Sequence, residues 1–155
     1  MFEIWRATPP SETKENVKMN VKKYSIWLAL FALILAQLAC AVGEPTLENV
    51  RTARDEDGAQ VTSTFGAFDT IYVVSDLSNG VAGNTITSRW FFDNVPGFES
   101  GALIDESTID VTEESFNGTV YFFFPPQTDG WPLGTYKVEV YFNNVLNSTV
   151  FFTIQ

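Results

Sequence analysis

The chain has 155 residues, 45% of them hydrophobic, which suffices for one domain with a modest core. It carries 19 acidic and nine basic residues and no histidine. The sequence after its single cysteine, Cys40, contains 16 acidic and four basic residues, which gives this part a net charge of −12. Because a surface this negative repels the phosphate backbone, we expect no nucleic-acid partner.

The first 18 residues have the composition of a leader and not of a folded element. They have mixed charge, include Pro9 and Pro10, and show no usable periodicity. Met19 then opens a sequence with Lys22 and Lys23, which is a typical start of a secretory signal. We therefore predict that translation begins at Met19. Otherwise, residues 1–18 form a long leader that is removed together with the signal.

An apolar stretch over residues 26–39 follows the two lysines and ends in small residues, Ala39, Cys40 and Ala41. The order basic, apolar and small is that of a signal peptide, so we predict export. The predicted organisation is a leader and signal helix over residues 1–39, a tether over 40–46, and one domain over 47–155.

The segment around Cys40 resembles a bacterial lipoprotein signal, in which the cysteine thiol is acylated and becomes the first mature residue. Leucine is usual where Gln37 stands, and alanine or serine where Leu38 stands, so the likeness rests on Ala39, Cys40 and the apolar run. It implies lipidation at Cys40 and a location on the outer face of the cell membrane. Two alternatives stay open: cleavage after Ala41 with secretion, or an uncleaved helix, for which the stretch is shorter than the ~20 residues a bilayer needs.

From Gly43 onward, β-branched and aromatic runs recur between turn residues without helical periodicity, which predicts strands. The predicted strands cover residues 47–53, 61–65, 70–77, 85–93, 119–124, 134–142 and 145–154, with weaker candidates at 103–104 and 108–111. Turns are predicted at 55–58 and at 78–80. Asn143 and Asn144 tolerate positive φ, so the last two strands should form a hairpin.

Seven or eight short antiparallel strands in about 110 residues imply two packed sheets or a small barrel. In the predicted strand 70–77, the side that carries Ile71, Val73 and Leu77 should face the core. Trp90 lies centrally in the third principal strand, 85–93.

Residues 49–154 are similar to small immunoglobulin-like domains of exported bacterial proteins, on the evidence of Trp90 and of a cluster containing Gly130, Trp131, Pro132, Gly134 and Tyr136. The likeness implies an all-β immunoglobulin-like sandwich in which the Tyr136 hydroxyl bonds to backbone a few residues upstream. It implies a core built on Trp90 without a disulfide. Trp131 would staple the end of the sandwich or anchor a loop tip. The likeness supplies no catalytic residues.

The residue types in this sequence give little support to catalysis or to metal binding. There is no histidine and no Gly-x-Ser-x-Gly. Adjacent acids at Asp105 and Glu106, or Glu113 and Glu114, point to opposite sides of a strand and form no facing dyad. The sequence at 55–58 resembles the opening of a calcium loop but lacks the later acidic ligand, so an acidic turn explains it. We predict no enzyme activity, no metal and no cofactor.

Fourteen Phe, five Tyr and four Trp exceed what one small core needs. The candidate binding aromatics, on the side opposite the predicted core, are Tyr72, Phe91, Tyr121, Phe123, Tyr141 and Phe151. Sharing one outer face, they would form a platform for a glycan, a peptide or a partner domain. The alternatives are that loops cover this face or that the sides are inverted in some strands.

We therefore predict a membrane-tethered, non-catalytic cell-surface lipoprotein that binds a protein or polysaccharide partner or has a structural role in the envelope. The alternative is a secreted, unlipidated accessory subunit or inhibitor of an extracellular enzyme.

Overall fold

The computed structural model describes residues 43–155, which form an all-β domain. The predicted signal helix, the start at Met19 and Cys40 lie outside the described residues. The eight strands are β1 (Thr46–Ala53), β2 (Thr64–Phe65), β3 (Ile71–Gly80), β4 (Thr85–Asn94), β5 (Leu103–Asp110), β6 (Phe116–Phe124), β7 (Gly134–Phe142) and β8 (Val145–Ile154). Nothing within residues 43–155 forms a helix with the length and apolarity needed to cross a bilayer.

The strands form two sheets, one with the order β1-β3-β6 and one with the order β2-β8-β7-β4-β5. This confirms the predicted sandwich of about eight strands. The expectation of purely antiparallel pairing is wrong at β2, where Thr64 and Phe65 run parallel to Thr153 and Ile154 of β8. Sequence pattern marks a strand but carries no signal for its direction relative to a distant neighbour.

Aromatic side chains from both sheets fill the core between them. Trp90 is 2% exposed, and its indole N–H donates to the buried Ser88 hydroxyl over 3.1 Å, so the buried donor is satisfied. Tyr136 and Phe152 stack with ring centroids 5.1 Å apart, and Trp90 meets Phe152 edge-on at 6.0 Å. Such pairs add about 0.5–1.5 kcal/mol beyond burial, which helps a core that has no disulfide.

The predicted inward side of β3 is confirmed, since Ile71, Val73 and Leu77 are each almost fully buried. They belong to the same cluster as Trp90 and Phe152. The period-two alternation of a strand therefore identified which side of β3 meets the other sheet.

The hairpin of β7 and β8 has the predicted bounds and the predicted turn. Asn143 and Asn144 adopt φ values of 50° and 65°, the left-handed region that a two-residue hairpin of this hand requires. The Asn143 side-chain oxygen also accepts from the Thr85 N–H over 3.0 Å. The turn is thus fastened to the start of β4.

Several expectations about strand bounds are wrong. Residues 78–80 are not a turn: β3 continues to Gly80 through an irregularity at Asn79, whose φ is 55°. The Asn79 N–H donates to the Asn117 side chain of neighbouring β6 over 2.8 Å, which stabilises this bulge within the sheet. The chain turns instead at 81–84, where the Asn84 N–H donates to the Val81 carbonyl.

The second error concerns β5, predicted as two fragments at 103–104 and 108–111 separated by polar residues. The structure has one strand, Leu103–Asp110, paired with β4 along its length. Its polar residues gave no apolar alternation because most of its side chains are exposed on both faces. The neighbouring β6 begins at Phe116, three residues before its predicted start.

Candidate functional site

The six candidate binding aromatics lie on two opposite outer faces and form no single platform. Tyr72, Tyr121 and Phe123 share the outer face of the three-stranded sheet, and we call them the outer aromatic patch. The Tyr72 ring centroid lies 6.0 Å from that of Tyr121 and 6.1 Å from that of Phe123. Tyr121 is 38% exposed and Phe123 is 59% exposed. The other three, Phe91, Tyr141 and Phe151, lie on the outer face of the five-stranded sheet.

On the five-stranded sheet, Tyr141 is covered by charged neighbours. The Arg89 guanidinium carbon lies 4.7 Å from the Tyr141 ring centroid, and its Nε donates to Glu106 over 2.6 Å. The Tyr141 hydroxyl donates to Glu139 over 2.8 Å. The ring and the hydroxyl of Tyr141 therefore already contact side chains of the same domain.

Phe91, on the same face, is also covered. The Lys137 ammonium lies 4.5 Å from the Phe91 ring centroid and donates to Glu139 over 2.8 Å. This hydrogen bond from Lys137 holds the pKa of Glu139 below its usual range. Phe151, 52% exposed, is the candidate on this face that stays open. The outer aromatic patch thus offers more uncovered ring surface than the opposite face.

The acidic turn at 55–58 is a closed hydrogen-bonded turn. The Gly58 N–H donates to the Asp55 carbonyl, and the Asp55 carboxylate accepts from the Gln60 N–H and side-chain amide. The bond from the Gln60 N–H lowers the pKa of Asp55. Arg51 of β1 donates to the carbonyls of Asp57 and Gly58. Among residues 43–155 no group of three acidic, cysteine or histidine side chains is placed to hold a metal ion.

A cleft of about 590 Å³ opens between β5 and β6, and we call it the edge cleft. It is lined by Ser88 and Trp90 of β4, by Asp105, Ser107 and Ile109 of β5, and by residues 119–123 of β6. Since Tyr121 and Phe123 belong to both features, the edge cleft and the outer aromatic patch form one continuous surface. The sequence singled out neither Ser88 nor Ser107. The signal for Ser107 is the period-two spacing of Asp105, Ser107 and Ile109, which places all three on one side of a strand.

The structure places the two adjacent acidic pairs in different settings. Glu106 pairs with Arg89 on the outer face while Asp105 lines the edge cleft, so these neighbours do point to opposite sides. Glu113 and Glu114 were predicted to lie on a strand, which is wrong: they occupy the bend between β5 and β6. A carboxyl that donates a proton near neutral pH needs a raised pKa.

Three described carboxyls have pKa values that are shifted in the opposite direction. A hydrogen bond from the Gly66 N–H, with help from Arg54, lowers the pKa of Asp69, as Gln60 does for Asp55 and Lys137 for Glu139. These three side chains are therefore held as carboxylates and are poorly suited to general acid catalysis.

Tyr136 and Trp131 close one end of the sandwich. The Tyr136 hydroxyl donates to the Pro132 carbonyl over 2.6 Å, which is the backbone bond expected from the sequence. Trp131 is 6% exposed and packs edge-on against Phe124 and Tyr136, at 4.9 Å and 5.4 Å between centroids. Trp131 therefore belongs to the core and is not a loop-tip anchor. Its indole N–H is buried without a partner among the described residues.

The fold has counterparts among solved structures. An immunoglobulin-like protein from Pseudomonas aeruginosa superposes with a TM-score of 0.51 at 14% identity, over 74% of this chain and 99% of that one. An alkylpurine DNA glycosylase from Pseudomonas fluorescens gives 0.48 at 14% identity, over 89% of this chain and 40% of that one. A β-glucosidase from Listeria innocua gives 0.47 at 11% identity, over 72% and 16%. The chain thus spans less than half of these two enzymes.

No family model matches the sequence, and no curated protein matches it either. At such low identities the structural likeness concerns the fold alone. The two-sheet topology, the Trp90 core and the first of these neighbours define the protein as an immunoglobulin-like β-sandwich.

Proposed function

We propose that the protein is an exported lipoprotein, held by acylated Cys40 at the outer face of the cell membrane, whose immunoglobulin-like domain is a non-catalytic module that binds a protein or polysaccharide partner. The single observation that carries the tether is the junction itself: basic residues, an apolar run and Ala39 precede Cys40, and β1 begins six residues later. Each buried methylene contributes about 0.8 kcal/mol, so two or three acyl chains on one residue hold a small domain firmly at a membrane.

The binding role is supported by the surface that joins the outer aromatic patch to the edge cleft. Phe123 and Tyr121 expose ring surface at its rim, while the cleft beside them has polar groups from Asp105 and Ser107. Exposed apolar rings bordered by polar groups are typical of interaction sites. The lowered carboxyl pKa values and a chain without histidine support a module without catalysis.

The tether is tested by expressing the full chain in a bacterium supplied with a labelled fatty acid. We expect the wild type to carry the label, to sediment with membranes and to have a mature mass that begins at Cys40. The matched variant Cys40→Ser should carry no label. An unlabelled wild type whose mass begins at Val42 would instead support the secreted accessory subunit or inhibitor.

The binding surface is tested with two variants that remove similarly exposed phenylalanines from opposite faces. Phe123→Ser lies in the outer aromatic patch, and Phe151→Ser lies on the five-stranded sheet. We expect Phe123→Ser to weaken binding of the protein to isolated bacterial cell envelopes, with Phe151→Ser close to wild type. A loss of binding in Phe151→Ser alone would instead place the binding surface on the five-stranded sheet.

A further inference from the structure

The edge cleft lies where both sheets end on the same side of the sandwich. β6 is the last strand of its sheet and pairs only with β3 among the described strands, and β5 is the last strand of the other sheet and pairs only with β4. A strand at the end of a sheet has unpaired backbone N–H and C=O groups along its outer edge. Such an edge can accept one more strand.

The two strands contribute to the edge cleft in different ways. From β6, five consecutive residues, 119–123, line it, whereas from β5 every second residue does so: Asp105, Ser107 and Ile109. Successive side chains of a strand point to opposite faces, so consecutive lining residues mean that the cleft runs along the edge of β6. Alternate lining residues mean that the cleft runs under one face of β5. The edge of β6 and this face of β5 therefore bound a space that one more strand would fit.

No strand among residues 43–155 occupies this position, because the smaller sheet is too narrow to cover the larger one. β1 packs across from β8, and β6 packs across from β4, where the Phe124 and Trp90 ring centroids are 5.6 Å apart. β5 lies one strand beyond β4 and has no described strand opposite it. Its inward Asp105 and Ser107 are accordingly exposed.

We propose that the edge cleft binds an extended peptide segment with a basic side chain, which adds to the edge of β6 as a fourth strand and covers β5. The proposal rests on the proposed binding function and names its partner as a polypeptide. Main-chain hydrogen bonds to an open edge supply affinity in this recognition mode, and alternate side chains supply specificity. Five residues of strand span about 17 Å, long enough for two or three inward-facing peptide side chains.

The preference for a basic peptide follows from the charges. Asp105 points into the edge cleft and makes no ion pair with any described residue, unlike its neighbour Glu106, which pairs with Arg89. A lysine or arginine of the peptide would place its charge at Asp105, while apolar peptide side chains would face Trp90, Phe122 and Ile109. A second copy of the domain is a poorer occupant because each copy has a net charge of −12 after Cys40.

The test uses the full chain, purified as the expressing bacterium processes it, with the lipid label read on the same sample. A library of random nine-residue peptides is screened for peptides that bind the protein. We expect enriched peptides to alternate apolar residues with at least one lysine or arginine. If the protein carries the lipid label but enriches no such peptides, the peptide inference is overturned and the tether stands. If the protein is unlabelled but does enrich such peptides, the tether is overturned and the peptide inference stands.

Two matched pairs of variants then locate the site with the most enriched peptide as probe. Ser107→Trp fills the edge cleft, whereas Thr108→Trp adds the same bulk to the outer face of β5, where Thr108 meets Thr87. We expect Ser107→Trp to abolish binding and Thr108→Trp to preserve it. Asp105→Asn should weaken binding about two- to fivefold, as for an exposed ion pair, and Glu106→Gln should not. Equal effects within either pair would refute the assignment.

Strand addition also predicts slower amide hydrogen exchange at those residues of 119–123 whose N–H groups point away from β3, because these groups become paired when the peptide is bound. Binding without this protection would overturn the strand geometry even if affinity were high. If the wild type self-associates and Ser107→Trp does not, the occupant is a second copy of the domain. If the protein binds soluble cell-wall polysaccharide and enriches no peptide, the occupant is a glycan. Either result would contradict the peptide.

Discussion

Tyr136→Phe removes one hydroxyl from the most buried tyrosine of the domain and keeps its ring. The lost group donates to the Pro132 carbonyl over 2.6 Å. The remaining ring would still stack on Phe152 at 5.1 Å and meet Trp131 edge-on at 5.4 Å. The substitution therefore isolates the hydrogen bond from the packing, which a change to alanine would not do.

The expected cost is about 1 to 1.5 kcal/mol of unfolding free energy, the upper part of the range for one neutral hydrogen bond. Tyr136 is fully buried, but Pro132 is exposed, so water can hydrate the carbonyl that loses its partner. This access limits the penalty for an unsatisfied acceptor. A loss of this size lowers the melting temperature by about 4 °C per kcal/mol in a domain of this length.

Urea denaturation of the wild type, of Tyr136→Phe and of the control Tyr72→Phe measures this cost. The Tyr72 hydroxyl makes no hydrogen bond to a described residue, so the control should match the wild type. If Tyr136→Phe unfolds at the wild-type midpoint, the hydroxyl does not hold the connection that precedes β7, and the reasoning about this end of the sandwich is refuted.

The same variant has a signature in alkali. Burial raises the pKa of Tyr136 from 10.0 to about 12. A raised pKa in the folded state contributes stability that is complete below pH 10 and is lost as the pH rises to about 12, because the unfolded chain ionises first. The stability difference between wild type and Tyr136→Phe should therefore shrink over this interval. A constant difference would mean that the phenol is not desolvated.

Two further predictions concern a backbone position and an ion pair. Gly134→Ala should destabilise the domain about 1 to 3 kcal/mol more than Gly97→Ala. Both glycines have positive φ, but an added Cβ at Gly134 would lie 2.5 Å from the Asn94 carbonyl oxygen, while at Gly97 it would meet nothing within 4 Å; equal losses in urea would exclude this clash. Because Lys137 lowers the pKa of Glu139 from its ordinary 4.5, the stability that Glu139 contributes is present above that pH and is lost as the pH falls through the lowered value. Acid titration should show the gap between wild type and Glu139→Gln closing in that range, with Glu48→Gln, at an exposed position of β1, as control; a gap that persists would argue against this pair.

Sequence reasoning succeeded where local chemistry decides the structure. The bounds of β7 and β8 were predicted because Asn143 and Asn144 favour the left-handed turn that joins them. The inward side of β3 followed from alternation and apolar character, and the burial of Trp90 followed from the likeness to immunoglobulin-like domains. None of these depends on which distant strand is the neighbour.

It failed where the answer depends on which strands become neighbours. Alternation predicted that Tyr121 and Tyr141 both point away from the core, but the two lie on opposite faces because β6 and β7 belong to different sheets. Ser78, Asn79 and Gly80 have the composition of a turn, yet Asn117 of β6 binds the Asn79 N–H and keeps the segment in the ladder. That contact links residues 38 positions apart and has no local signature.

The polar character that hid β5 from prediction also accounts for the edge cleft. A strand covered on its inward face would need apolar residues where Asp105 and Ser107 stand, and the sequence would then have shown a clear alternation. An inward-pointing charge is also a known protection of a sheet edge against pairing with copies of itself. In a domain with 16 acidic residues, Asp105 repels another copy of the same edge and attracts a basic strand. Under the proposed strand addition, one residue combines protection against aggregation with selection of a basic peptide.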